Sequence, residues 1–364
     1  DPVVFEEINN EGNIYFSQSF LKAFEVSNPQ IEFKYISISD SKKRIAALVL
    51  LQVISLNVEG MLKNIKVGPL LRKGLGLLFC NEHIKIMFCG NVFLSGEHGI
   101  ITADNNSQKE VYYEIGRAID AVAANIKPMH AIFIKDFKLA SLNYTRQFLT
   151  FGYSEIKVEP NMIIKLKPEW KSFEDYKDVL KSKYRIKANK ADSVSSTLET
   201  RLFSNQDFVT YKHELQALYQ NTIDKASFNA QVLNLNTYGR LSTSIKNDFI
   251  VKGYFLENRL VGFLTALVND NKLDAHFIGL DYDLNKSHSI YPRILNDYIR
   301  IGIKKQVSSI NLGRTASEIK TTIGANPLNL SCYIKHKNPF FNMLIRPFLK
   351  RIKIKEFKQH SPFK

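Results

Sequence analysis

Leu260-Val261-Gly262-Phe263-Leu264-Thr265-Ala266-Leu267-Val268 runs through Asn269-Asp270-Asn271 into Lys272-Leu273-Asp274-Ala275-His276-Phe277-Ile278-Gly279-Leu280. The first run is nearly all apolar, the pattern of a sheet strand covered on both faces. The second carries a histidine in mid-run, and the Asn-Asp-Asn step between them is a turn signal, so the two are expected to pair as a hairpin. A polar loop is predicted over Asp281 to Ser289. After it Ile290, Ile294, Leu295, Tyr298, Ile299 and Ile303 form one helical stripe. A short strand, Ser309 to Leu312, then leads through Gly313-Arg314-Thr315-Ala316 into a polar helix.

That order of elements resembles the GNAT superfamily of N-acyltransferases, in particular its double-domain, Fem-type branch. Four further segments carry the resemblance: Ile14 to Leu21, similar to the helix that begins such chains; Phe151-Gly152-Tyr153 through Leu166, similar to the strand pair that closes the first domain; the basic helix Tyr176 to Lys190; and Gly313-Arg314-Thr315 with Glu318 and Lys320, similar to a late site-lining segment. The resemblance implies an α/β fold of tandem GNAT-like domains with mixed sheets. It also implies transfer of an acyl or aminoacyl group from a thioester or ester carrier to an amine. The competing class is an inactive double module that binds an envelope lipid, an acyl carrier protein or nucleic acid.

Working outward, the first unit is expected over residues 1–167. It would hold a helix at Ser17 to Phe24, strands at Ile31 to Ser39, Arg44 to Asn57, Ile84 to Phe88 and Ala131 to Lys135, and helices at Gln108 to Ile126 and Asn143 to Thr150. Pro168-Glu169-Trp170 marks a junction, and Ser172 is placed to cap the next helix. The second unit is expected over 171–336 and a basic, apolar tail over 337–364. Two similar alternations of strand and helix argue for two copies of one α/β plan, with a groove between them edged by His276 and Arg314.

The formal charge of +15 points to an anionic partner. Three cysteines, Cys80, Cys89 and Cys332, form no CxxC pair, suit a reducing compartment and read as small buried residues; no metal is expected. No run reaches the ~20 apolar residues of a membrane span. The chain opens at Asp1 rather than Met, which leaves a removed leading segment open. In the tail, Lys335, Lys337, Arg346, Lys350, Arg351, Lys353, Lys355, Lys358 and Lys364 face only Glu356 and alternate with Phe and aliphatic residues. This pattern suits an anionic membrane surface or an arm packed back on the domain; nucleic acid is a third reading, although the spacing marks no base-stacking platform. The expected location is the cytoplasm, peripheral on the inner face of the membrane. DNA is not among the expected partners.

Direct N-acyl transfer needs a neutral amine, a carbonyl held for attack, and donors for the developing oxyanion. His276 is a candidate base, or else a hydrogen-bonded core histidine. Asp281 and Asp283 at the strand end are candidates to orient it or to bind the amine, or else turn formers, and Asp274 lies on the same strand face as His276 by the period of two. Arg314, carried out at a strand's carboxyl end, suits a carboxylate, phosphate or oxyanion, although the step of four to Glu318 also suits a surface ion pair. Tyr291, Thr315, Glu318 and Lys320 complete the expected substrate-binding set. The resemblance leads one to expect a glycine-rich, pyrophosphate-gripping loop after the hairpin, yet Asp281 to Pro292 contains no glycine. Ser287 and Ser289 could donate to a phosphate. Lys181, Lys183 and Arg185 would suit an acidic acyl carrier protein or tRNA. Acyl-CoA, acyl carrier protein and aminoacyl-tRNA all stay open as donor co-substrates, with no tightly bound cofactor.

Overall fold

A computed structural model describes residues 2–9, 12–57, 83–103, 107–226, 229–349, 351, 354 and 356–364. Cys80, Lys350, Ile352, Lys353 and Lys355 lie outside the described residues. The strands are β1 (Glu32–Ser39), β2 (Ile45–Asn57), β3 (His83–Cys89), β4 (Ile100–Thr102), β5 (Ala131–Lys138), β6 (Ser154–Lys165), β7 (Glu199–Leu202), β8 (Phe249–Leu256), β9 (Arg259–Asn269), β10 (Lys272–Leu280), β11 (Ser309–Asn311) and β12 (Asn326–His336). All twelve join in one mixed sheet of order β1-β2-β3-β5-β12-β6-β11-β10-β9-β8-β7, with β4 on β2. The fold class is the expected mixed α/β.

The sheet is continuous because the last strand of each half leaves it. β12 pairs with β5 of the first half, Tyr333 opposite Ile134, and with β6 along its other edge. β6 in turn pairs with β11 of the second half, Ile164 opposite Ile310. Residues 154–165 are therefore one strand and not the expected strand pair. The register with β12 slips between Leu328 and Leu330, and the resulting bulge absorbs Pro160.

Burial follows the same exchange. Phe16, Phe20, Phe24 and Leu50 of the first half share one core with Leu218, Tyr238, Phe249 and Phe263 of the second. The opposite face of the first half is covered by the helix Gln108–Ala124, whose Val111, Ile115 and Ile119 pack on β2 and β5. In the second half the helix Ile290–Lys304 lays the predicted stripe of Ile290, Ile294, Tyr298 and Ile299 on β9 and β10.

Two further segments differ from expectation. The stretch predicted as a loop is the helix Tyr282–His288, made possible by Asp281, whose side chain accepts from the N–H groups of Asp283 and Leu284. The single basic helix expected from Tyr176 to Lys190 is two, Phe173–Asp178 and Ser182–Val194. The break falls where Leu180 forms a bridge with Phe363 and the Lys181 N–H donates to the Pro362 carbonyl. Ser172 caps the first of them in a capping box with Asp175, as predicted. Cys89 and Cys332 are buried. Among the described residues, no helix is long and apolar enough to cross a membrane.

Tyr333 concentrates the energetics of the exchange. It is fully buried on β12, its ring 5.3 Å from Phe148 and 5.8 Å from Phe137, its hydroxyl 2.9 Å from Thr145. Tyr333→Ala is expected to remove about 3–5 kcal/mol. Because β12 belongs to both halves, urea unfolding followed by far-UV dichroism and by the single tryptophan, Trp170, should shift together. Two separated transitions would contradict a shared core.

Candidate active site

β10 and β11 run parallel but pair only over Lys272 to Asp274 and Ser309 to Asn311. Beyond this point they part. The N–H of Leu312 donates to Met162, so the chain after β11 stays with β6. β10 instead bulges: Ala275 faces Ala266 and Ile278 faces Leu264, so His276 and Phe277 together oppose Thr265. The two parallel strands thus splay apart toward their carboxyl ends, where α/β sheets place ligands.

The first half supplies the other wall. Tyr15 donates its hydroxyl to Asp274, whose second oxygen accepts from Asn311 Nδ2 at 2.8 Å. The loop 90–99 is clipped at both ends to Leu50: the Gly90 N–H donates to its carbonyl at 2.9 Å, and its own N–H donates to the Gly99 carbonyl at 2.8 Å. The two glycines pass so closely that a Cβ on Gly99 would lie 2.8 Å from the Gly90 backbone, which requires residues without side chains there. Within the loop, the buried Lys135 ammonium donates to the carbonyls of Asn91 and Leu94 at 2.7 and 2.5 Å. Asp136 accepts from the Gly96 N–H at 3.1 Å.

Asp136 is also the partner of Arg314. This carboxylate is completely buried, and burial alone would raise its pKa; Lys135 and Arg314 outweigh that and hold it below the ordinary range. The pair sits on strained backbone. Asp136 has φ +75°, and Thr315 and Ala316 after Arg314 have φ +63° and +47°. Left-handed conformations of this kind cost of order 1–3 kcal/mol each and cluster at functional sites. Arg314 Nη2 is taken by Asp136, while Nε and Nη1 have no acceptor among the described residues.

His98 completes the cluster. Its ring lies 4.0 Å from that of Tyr15 and makes no hydrogen bond among the described residues. Burial holds its pKa below the ordinary value, Asp274 pulls the other way and Lys135 adds to the lowering, so the imidazole is neutral at neutral pH.

His276 stands at the same cleft but is engaged. Nδ1 lies 3.0 Å from the Tyr238 hydroxyl and Nε2 3.0 Å from the Phe93 carbonyl, and burial lowers its pKa to about 4. His276 and Arg314 thus meet the same loop, one at Phe93 and the other through Asp136 and Gly96. Asp274 and His276 share a face, as the period of two requires, both meeting the Tyr15-Phe20-Phe24 segment.

The other expected site residues fall elsewhere. Asp281 spends one oxygen on the helix cap and the other on Arg259 at 2.5 Å. The cap engages the N–H groups of Asp283 and Leu284, and the Tyr291 N–H donates to Asn285 at 2.8 Å. Tyr291 is half-buried against the second core. Ser287 and Ser289 flank the end of that helix, Ser287 bonded to the Leu284 carbonyl. Glu318 does not pair with Arg314, the helix spacing notwithstanding, because Arg314 turns to Asp136; Glu318 faces His360 at 3.6 Å. Lys320 is buried and donates to the carbonyls of Leu312, Gly313 and Arg314, so it holds the turn that presents Arg314. Lys181 is tied to Ser361 at 3.0 Å, whereas Lys183 is exposed and Arg185 half-exposed on the basic helix.

Asp136, Lys135, Tyr15 and His98 were not singled out from the sequence. Gly90-Asn91 and Gly96-Glu97-His98-Gly99 carry the one available signal, a histidine framed by glycines on a tight loop.

No family model matches the chain, and no curated protein matches it in sequence. Solved structures do. FemX superposes with TM-score 0.55 at 8 % identity over 91 % of this chain and 94 % of that one. The fold is GNAT-like and Fem-type. The C-terminal domain of a putative lysylphosphatidylglycerol synthetase from Agrobacterium fabrum gives TM-score 0.53 at 8 % identity over 94 % of both chains. L-PGS from Bacillus licheniformis gives 0.52 at 11 % over 97 % of both. Identities this low speak for the fold alone.

Burial pushes the Lys320 pKa down to about 7, with Glu159 opposing. Between about pH 7 and the ordinary lysine value of 10.5 the unfolded chain therefore binds the extra proton, so stability should rise with pH through this window. Below pH 7 both states are protonated and the group contributes no slope. Unfolding free energies measured from pH 7 to 9.5 should show this rise in the native protein and lose it in Lys320→Met.

Proposed function

We propose that the protein transfers an acyl or aminoacyl group from a thioester or ester carrier to an amine, in the cleft between its halves. The observation that carries this reading is a neutral imidazole without a hydrogen-bond partner among the described residues, His98, held against Tyr15, whose hydroxyl donates to Asp274, on the loop that Asp136 ties to the guanidinium of Arg314. In this reading the amine attacks the acyl carbon while His98 takes its proton, directly or through water, and the resulting imidazolium returns that proton to the carrier's sulfur or oxygen as the C–S or C–O bond breaks, releasing the carrier as its thiol or alcohol. Asp274, with Tyr15 and Asn311 fixing both its oxygens, favours the imidazolium that results. Arg314 offers Nη1–H to the carbonyl oxygen as charge develops, and Asp136 and Lys320 hold it in place beforehand. The base role read from sequence for His276 passes to His98 because both nitrogens of His276 are used within the protein.

The Asp281 region supports a reading of the donor. Three of its backbone N–H groups, those of Asp283, Leu284 and Tyr291, are taken by the side chains of Asp281 and Asn285, which favours a donor presented by a macromolecular carrier over one gripped through a pyrophosphate. The exposed Lys183, Lys187 and Lys190 on one helix face suit an acidic carrier protein or tRNA. The acceptor is an amine of a lipid or cell-envelope precursor, with the reaction cytoplasmic at the membrane face; the Fem-type fold is the support for this.

His98→Gln is expected to lower turnover by ~100-fold or more without loss of melting temperature, and to abolish an acid limb in the kcat/KM profile below the ordinary histidine pKa. Arg314→Lys should not restore the rate, since lysine keeps the charge without the planar fork. Turnover with acyl-CoA, acyl carrier protein thioesters and aminoacyl-tRNA as donors provides the readout. A fully active His98→Gln protein would refute the base assignment.

A further inference from the structure

The helix Pro339–Leu349 follows β12 and is held to the protein largely by polar groups. Asn342 is buried; its Nδ2 donates to the Gly152 carbonyl at 2.9 Å and its Oδ1 accepts from the His336 N–H at 3.0 Å. One turn on, Arg346 donates to the same Gly152 carbonyl at 2.9 Å. Asn338 caps the start, accepting from the Phe340 N–H. Phe341 turns inward, its ring 5.4 Å from that of His336.

The outward stripe is apolar. Phe340, Met343, Leu344, Pro347 and Phe348 recur at the spacing of one helix face and all are exposed: Phe340 by 60 %, Met343 by 59 %, Phe348 by 49 %. A helix anchored through Asn and Arg with phenylalanine toward water reverses the usual arrangement of a surface helix. Contiguous exposed apolar side chains of this size mark an interaction site. The charge around the stripe identifies the occupant. From Lys337 to Lys355 there are six basic residues and no acidic one. The helix has 11 residues, too short to span a bilayer. Apolar side chains at the acyl boundary with Lys and Arg at the headgroups are what an interfacial helix requires.

We infer that the outward face of Pro339–Leu349 docks the protein on an anionic lipid bilayer. The tail divides in function at about residue 355: residues 356–364 pack back on the second half, with Phe363 against Trp170 and Tyr176, and take no part. Docking is separate from the cleft chemistry and does not depend on it.

Co-sedimentation of the full chain with vesicles of phosphatidylglycerol and phosphatidylcholine, and with phosphatidylcholine alone, tests the assignment. Binding is expected only to the anionic vesicles and should weaken as salt is raised. Phe340→Ser and Phe348→Ser should each weaken it by about tenfold or more, and Lys337→Glu with Arg351→Glu should weaken it further, with unchanged melting temperatures. Phe363→Ser serves as a comparison, expected to lower the melting temperature without weakening vesicle binding by the folded protein. Binding that ignores both phenylalanines, or that is equal on neutral vesicles, overturns the inference. So does a concentration-dependent dimer in lipid-free buffer that both serine variants abolish, which would assign the stripe to a second copy of the chain.

Discussion

The structure depends on an exchange of two strands. β12 closes the sheet of the first half and β6 that of the second, so neither half has a free inner edge. An unpaired strand edge inside a protein would leave a row of buried donors and acceptors without partners, a cost that pairing across the halves removes. The sheet therefore runs unbroken through twelve strands, and the relative position of the halves is fixed by ladder hydrogen bonds as well as by side-chain packing.

This rigidity is what permits the polar cluster at the centre. Asp136 comes from the first half and Arg314 from the second, and the carboxylate is wholly buried. Removing one partner would leave an uncompensated charge in a low-dielectric site, a strongly destabilising change. The pair persists on left-handed backbone at Asp136 and Thr315 because the surrounding sheet, the Lys135 clamp on loop 90–99 and the Lys320 clamp on the 312–314 turn hold it there. Strain and buried charge gather at the parting of β10 and β11, and groups held this firmly would need little rearrangement in the proposed reaction.

The same logic separates the residues that hold the site from those free to act. Lys135, Asp136 and Lys320 have their polar atoms committed to the protein, and so does His276 between Tyr238 and Phe93. His98 and two donors of Arg314 are uncommitted among the described residues. Chemistry needs groups that can exchange partners with a substrate, and a side chain already satisfied on every side can do so only by breaking an existing bond.

By itself the sequence determined the local elements: the β9–β10 hairpin from its Asn-Asp-Asn turn, the stripe of the Ile290–Lys304 helix from its spacing, the Ser172 cap, and the placing of Arg314 at a strand end. Each depends on interactions within a few residues, which periodicity and turn chemistry record. The tertiary structure alone decided the rest. Residues 154–165 became one bulged strand and not a pair because β12 lies beside them, Arg314 left Glu318 for Asp136, 178 residues away, and the polar anchors of Pro339–Leu349 turned inward to Gly152. Such partners are set by strand exchange between the halves, and no local pattern encodes them. His98 shows the boundary: its framing glycines are visible in the sequence, but its place beside Tyr15 and Asp274 exists only once the two halves share one sheet.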